Sequence, residues 1–233
     1  MVDAEITLPI SGRKVLVKKY GCFCYQSNEI ERCLGQEGIA RNKDIFEMSG
    51  IGKRFKNCSF ENFKPYIEVK QAFETVAEYT EKFEFYKEAG IGLILKGGPG
   101  CGKSHLAAAL CQELIFKGYI VKFALVPIIL DDMRKSYGKK PTEGEQDILK
   151  QMAEVELLVL DDMGAEKSTP WVIEQMFILI NRRYEAMRPT ITTTNCTGQE
   201  LADRIGERSA SRLLEISKVI NINAPDYRLR SNK

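Results

Sequence analysis

Eight residues, Gly97-Gly98-Pro99-Gly100-Cys101-Gly102-Lys103-Ser104, fit the pattern G-x-x-x-x-G-K-[ST] of a phosphate-binding loop. The chemistry needs these types at this spacing. Glycines let the backbone wrap closely round an anion, with several N–H groups pointing inward at a helix N-terminus. The lysine reaches the β- and γ-phosphates, and the serine hydroxyl holds Mg²⁺. In this chain those roles fall to Lys103 and Ser104, with His105 next on the helix and in the same site. A second candidate pair, Asp161-Asp162, closes the apolar run Val155 to Leu160. Such a run reads as a buried parallel strand delivering carboxylates to its C-terminal edge, where ligands of open α/β sheets bind. Asp161 is placed to hold the magnesium's water shell together with Ser104. Asp162 is placed to orient or deprotonate the attacking water. Asn195, at the tip of another strand, is positioned to hydrogen-bond the γ-phosphate or its water; the plainer role for such a residue is a turn or cap.

Positioning these groups requires alternating strands and helices. Ile91 to Leu95 reads as a short buried strand feeding the loop, and Ser104 to Phe116 as a helix with Leu106, Leu110 and Leu114 on one face. Ahead of them, Ile67, Phe73, Val76, Tyr79, Phe83 and Tyr86 recur at helical spacing, which predicts one long core-packed helix over 67–88. Downstream, strands are expected at Ile120 to Leu125, Thr190 to Thr194 and Lys218 to Ile222. Helices are expected at Asp131 to Tyr137, Glu143 to Ala153, Trp171 to Met187 and Gln199 to Arg204. Alternating β and α elements with right-handed crossovers imply a parallel sheet with helices on both faces.

Residues 1–58 read differently. They carry four of the seven cysteines (Cys22, Cys24, Cys33, Cys58), a strand-like alternation at Lys14 to Lys18, and a helix near Asn28 to Met48. Cys22 and Cys24 with Cys33 and Cys58 invite a zinc reading. The C-x-C spacing is poorer than C-x-x-C, and the only histidine, His105, lies in the nucleotide site, so ordinary reduced thiols are the stronger expectation. Asn57 to Pro65 marks a boundary. Two units are therefore expected, an N-terminal region over 1–58 and a nucleotide-binding domain over 59–233.

Composition narrows the classes. The chain opens acidic where a secretory signal would be basic, and its longest apolar run, Phe123 to Leu130, is too short to span a bilayer. Seven cysteines without an export signal point to a reducing, cytoplasmic setting. The formal net charge is +2, with 10 Lys/Arg against 7 Asp/Glu in residues 1–58, so nucleic-acid binding has to come from a local patch. The segment Arg134, Lys135, Tyr137, Lys139, Lys140 mixes cations with one aromatic and is the candidate patch for single-stranded DNA. A solvated loop with scattered lysines is the alternative.

With these residues in view, the chain resembles the AAA+ ATPases. Within them it is similar to the bacterial and phage helicase loaders of the DnaC/DnaI type, with the IstB transposition helper as a relative. The resemblance runs over about residues 50–230 through Ser49 to Phe55, Ser59 to Phe63, Gly97 to Ser104, Leu157 to Gly164, Asn181 to Tyr184, Pro189 to Asn195, Gly206 to Leu213 and Asp226 to Arg228. It implies a P-loop fold with a central parallel sheet between helices. Only 38 residues follow Asn195, which leaves no room for a large C-terminal lid.

By resemblance, Asn195 is the sensor-1 residue, Arg212 an arginine finger acting on a neighbouring subunit with Arg208 as its rival, and Arg228 a sensor-2-like residue. The implied cofactors are ATP and Mg²⁺. The implied partners are a DnaB-type replicative helicase, gripped by the N-terminal region, single-stranded DNA, and further copies of the chain. A second reading is an IstB-type ATPase that binds duplex DNA and assists a transposase. A small-molecule P-loop kinase would not need Arg212 beyond the sensor strand. A scaffold without hydrolysis would not need the full set Lys103, Ser104, Asp161 and Asp162. Asp161-Asp162, where an Asp-Glu pair would extend the second carboxylate by a methylene, suits a slow switch.

Overall fold

A computed structural model describes residues 4–7, 14–17, 45–63, 67–136 and 145–230. Strands β1 (Ala4–Thr7) and β2 (Lys14–Val17) pair antiparallel, Ala4 opposite Val17. The expected alternation at Lys14 to Lys18 is thus a strand over Lys14 to Val17, Lys18 lying outside the described residues. The expected helix near Asn28 to Met48 lies outside the described residues except for a helical turn at 45–48.

The second sheet organises everything that follows. It contains β3 (Gly92–Gly97), β4 (Val121–Leu125), β5 (Leu157–Met163), β6 (Thr190–Thr194) and β7 (Ser217–Ile222) in the order β4-β5-β6-β3-β7, and every adjacent pair is parallel. Side chains alternate across it with period two. Leu93, Leu95, Leu157 and Val159 face one core, while Ile94, Leu158 and Leu160 face the other.

The first core is closed by α1 (Ile67–Glu81), α2 (Phe83–Glu88) and α3 (Lys103–Phe116), which contribute Val76, Tyr79, Phe83, Leu106, Leu110 and Leu114. The second is closed by α4 (Val126–Ser136), α5 (Glu145–Glu154), α6 (Pro170–Glu185), α7 (Gly198–Ile205) and α8 (Glu207–Glu215). Both sheet faces are covered, as a parallel sheet of near-continuous apolar strands requires. Among the described residues, only the four-residue α9 (Tyr227–Arg230) follows β7.

Local signals set several boundaries. Thr169 caps α6 by accepting from the Val172 N–H, with Pro170 at the first helical position. Thr197 and Glu200 form a capping box on α7. The expected helix over 67–88 is two helices, because Lys82 (φ −95°, ψ 24°) leaves the helical region. Its aromatic stripe is core as expected, although Ile67 is exposed. The helix expected at Asp131 begins earlier, at Val126: the apolar run Phe123 to Leu130 spans a strand end and a helix start, which hydrophobicity cannot divide.

The boundary expected after residue 58 does not coincide with the packing. Ile45, Ile51 and Cys58 belong to the first core. The Gln112 side chain donates to the Phe55 and Cys58 carbonyls, and Phe123 N–H donates to Ser49 O, covering the edge of β4. Gly50 makes that approach possible: its φ is +78°, and a Cβ there would meet the Phe123 oxygen at 2.8 Å. Residues 45–58 therefore pack as part of the same unit as the nucleotide-binding domain.

Candidate nucleotide site

The phosphate loop runs from the end of β3 into α3. Gly100 (φ +68°) and Gly102 (φ +101°) take the left-handed conformations that turn the loop round its centre. A Cβ built at Gly98 would meet nothing within 4 Å. Lys103 is buried, and its ammonium donates to Gly97 O and Gly98 O at 2.8 Å and to Asn195 Oδ1 at 2.5 Å. Three neutral oxygens hold the lysine over the loop where triphosphate oxygens, with full charge, would be better acceptors. Asn195 is thereby brought onto the phosphate-binding lysine.

The two carboxylates reach the cleft through an irregularity of β5. Consecutive strand residues point to opposite faces, so an unbroken strand would turn one of them away. Leu160 pairs with Thr192 and Met163 with Thr194: β5 holds one residue more than β6 between those pairs. The extra residue is a bulge, and Asp162 takes a φ of +58° within it. Both Asp161 and Asp162 then line the cleft. A non-glycine residue in the left-handed region is strained, and such strain collects at functional sites.

Thr193, opposite the bulge, anchors both residues, one through its carboxylate and the other through its backbone. Its hydroxyl donates to Asp161 Oδ1 at 2.6 Å and accepts from the Asp162 N–H at 2.9 Å. Thr194 donates to Met163 O and accepts from the Cys196 N–H, tying the end of β6 to the end of β5. Sequence reasoning read Thr190 to Thr194 only as a β-rich strand. The available signal was four threonines in a strand due to be fully buried, where each hydroxyl needs a partner.

Asp161 is buried, and its pKa is raised, mainly by desolvation, against the lowering effect of hydrogen bonds from Thr193 and Ser104. A buried carboxylate with a serine hydroxyl beside it offers the oxygen donors that a hard divalent cation takes. Ser104 and Asp161 would hold Mg²⁺, which when bound supplies positive charge against the β- and γ-phosphates.

These groups line one cleft of about 680 Å³, within the range of small-molecule and cofactor sites. Its other walls are Arg54, Phe55, Cys58, Asn62 and Phe63 on one side and Ala224, Pro225, Tyr227 and Arg228 on the other. None of the first group was singled out from the sequence for this site, although Cys58 had been weighed for zinc. His105 is the hinge between that wall and the loop: its Nε2 lies 3.2 Å from Ser59 O and 3.0 Å from Asn62 Oδ1, and its ring packs edge-on to Phe63. Burial lowers the His105 pKa. Cys101 is buried beneath the loop.

The remaining candidates separate from the cleft. Arg212, on α8, does not line it; its guanidinium lies over the rings of Phe177 (5.1 Å) and Tyr184 (5.4 Å) of α6. Its Nη1 is buried without a hydrogen-bond partner among the described residues. Arg228 lines the cleft. Of the DNA candidates, Arg134 packs on Trp171 at 4.9 Å and Lys135 pairs with Asp131, while Tyr137, Lys139 and Lys140 lie outside the described residues.

Cys22, Cys24 and Cys33 also lie outside the described residues. Cys58 is a free thiol in the ATPase core, and burial raises its pKa, which opposes the thiolate a zinc ion needs. Among the described residues, no cluster of three or more His, Cys, Asp or Glu side chains is placed to hold a metal ion. Nor is any helix among them long and apolar enough to cross a membrane.

A parallel sheet with a phosphate loop after its first strand, paired carboxylates on the third and a polar residue, Asn195, just past the fourth defines a P-loop ATPase of the AAA+ class. The chain belongs to the IstB-like ATP binding protein family, whose profile matches residues 29–233. It is 34% identical over 189 residues to the replicative helicase loader DnaC of Escherichia coli K12, covering 79% of this chain and 75% of that protein. To DnaC of Buchnera aphidicola (subsp. Schizaphis graminum) it is 27% identical over 195 residues, covering 80% and 77%. Among solved structures, the DnaC helicase loader superposes with a TM-score of 0.65 at 29% identity, over 73% of this chain and 99% of that one. DnaI shares the fold, with a TM-score of 0.64 at 22% identity over 74% and 95%. The resemblance drawn from the motifs thus holds for family and fold.

Proposed function

We propose that this protein is an ATP-switched loader that binds a DnaB-type hexameric replicative helicase and places it on single-stranded DNA when replication begins. The observation that carries this reading is the similarity to DnaC over three quarters of both chains, supported by a cleft lined by Lys103, Ser104, Asp161, Asp162 and Asn195. In this reading Lys103 neutralises the β- and γ-phosphates, Asp161 and Ser104 hold the cation, Asp162 orients the attacking water, and Asn195 senses the γ-phosphate. Arg212 completes the site of a neighbouring copy. Its position outside its own cleft supports action in trans, because the cleft it could serve belongs to another subunit. Arg228 reads the phosphates from the tail. The region ahead of the ATPase unit grips the helicase, and Arg134, Lys135, Tyr137, Lys139 and Lys140 contact single-stranded DNA in the cytoplasm.

The match to the IstB-like family profile favours one alternative, an ATPase that binds duplex DNA and assists a transposase. Affinity capture with tagged full-length protein separates the two. With ATP present, the loader should retain the replicative helicase from its own cell, and Lys103→Ala should not. Recovery of a transposase, with no helicase retained at any nucleotide condition, would overturn the loader reading.

A further inference from the structure

The tail after β7 docks on the phosphate loop. Ile222, the last residue of β7, pairs with Gly97, and the chain continues upward beside the loop. Tyr227 N–H donates to Gly100 O at 3.0 Å. The Asp226 carboxylate packs so closely on Gly100 that a Cβ there would lie 1.7 Å from Asp226 Oδ1. Glycine at position 100 is therefore needed twice, for its φ of +68° and for the carboxylate against it.

The same carboxylate holds Arg228. It accepts from the Arg228 N–H at 2.9 Å, from Nε at 3.1 Å and from Nη2 at 3.2 Å. The arginine, first through its side-chain hydrogen bonds, lowers the Asp226 pKa. Arg228 thus lines the nucleotide cleft with its guanidinium bound to a carboxylate of its own tail. A fork-shaped guanidinium that grips a carboxylate through two nitrogens matches phosphate oxygens equally well.

We propose that Asp226 is the resting partner of Arg228, a positioning residue that keeps the arginine off the phosphates until a γ-phosphate takes its place. The exchange makes the tail a reader of ATP against ADP, because only the longer nucleotide carries a γ-phosphate to compete with the carboxylate for the fork, the dianionic end of ADP lying one phosphate short of it. It rests on the reading of Arg228 as a phosphate-sensing residue given above.

The test is a set of equilibrium titrations of full-length protein with MgATPγS and MgADP. The variants are Asp226→Asn, Arg228→Ala and the double variant, with Lys103→Ala as the control for the site itself. Asn keeps the volume of Asp and an oxygen for the Arg228 N–H, so the tail's docking on Gly100 survives and the melting temperature should not move. An exposed ion pair of this kind has to be broken before Arg228 can turn, so Asp226→Asn should raise the preference for ATPγS over ADP by roughly two- to fivefold. In the Arg228→Ala background the same substitution should leave that preference unchanged.

Equal tightening of both nucleotides in both backgrounds would mean that Asp226 only repels phosphate, and the exchange would be wrong. An unchanged preference in Asp226→Asn would overturn it as well. If Arg228→Ala alone keeps the parent's preference while Lys103→Ala loses binding, the nucleotide site stands and the role of Arg228 falls.

Discussion

Thr193→Val should damage this protein more than a single buried methyl-for-hydroxyl exchange ordinarily does, and its neighbour supplies the control. The Thr193 hydroxyl makes two bonds, a buried one donated to Asp161 and a part-buried one accepted from the Asp162 N–H. Valine keeps the shape and removes both. A bond to an ionised carboxylate is worth ~1.5–3 kcal/mol, and a backbone N–H left without a partner costs ~1–3 kcal/mol. Some of that is recovered as water reaches the half-buried Asp162, so a net loss of ~2–4 kcal/mol is expected. For a domain of this size that lowers the melting temperature by ~4–16 °C. Thr192, one position earlier in the same strand, is equally buried, and its hydroxyl has no hydrogen-bond partner among the described residues. Thr192→Val should be neutral or stabilising, because it removes a buried polar group that gains nothing from the protein.

The assay is thermal melting of the two variants beside the parent, followed by ATP turnover. Thr193→Val should also hydrolyse more slowly than its loss of stability explains, since the bulge that aims Asp162 has lost its anchor. Equal melting temperatures for the two valine variants would refute the reasoning, as would full turnover by Thr193→Val below its melting transition.

Lys103→Ala should abolish tight ATP binding in equilibrium titration, whereas Asp162→Asn should bind ATP and fail to hydrolyse it, because an amide cannot take a proton from water. Burial raises the Asp161 pKa in the folded state above the ordinary 3.8, so its ionisation opposes folding at pH 7 and that penalty fades as pH falls toward the unfolded value. Asp161→Asn should therefore melt above the parent at pH 7 without nucleotide, with the difference narrowing toward pH 4 in a melting series, while Mg²⁺-dependent turnover is lost. Arg183 is fully buried at the N-terminal ends of β5 and β6, donating to the carbonyls of Met152, Val155 and Pro189 and to Thr190 Oγ1, so Arg183→Met should cost ~3–5 kcal/mol in denaturant unfolding without changing ATP affinity in the folded state. Arg212→Ala mixed with Lys103→Ala should recover hydrolysis that neither shows alone, with the finger worth ~10³–10⁵ in rate, and full activity of Arg212→Ala by itself would remove the trans assignment.

What could be read in advance and what could not divides along one physical line. The phosphate loop was legible because its function fixes residue types at fixed spacing, so Gly97 to Ser104 announce themselves without any knowledge of the fold. Strands β3, β5 and β6 were legible because a parallel sheet buried on both faces forces unbroken apolar or β-branched runs. The bulge at Asp161-Asp162 was not. A two-residue acidic step reads identically whether the strand is regular or carries an extra residue, and only its pairing with Thr192 and Thr194 distinguishes the cases. Thr193 was hidden for the same reason: its task exists only opposite that bulge. The cleft wall at Phe55 to Phe63 was also missed, because the polar run from Asn57 reads as a linker. Gln112, on the loop's own helix, draws the carbonyls of Phe55 and Cys58 into the core from over fifty residues away. Residues that bind a ligand through their own side chains leave a pattern in the sequence, whereas those that place such residues leave theirs in the contacts. For this protein the second group, Thr193 and Gln112 among them, holds the first in place.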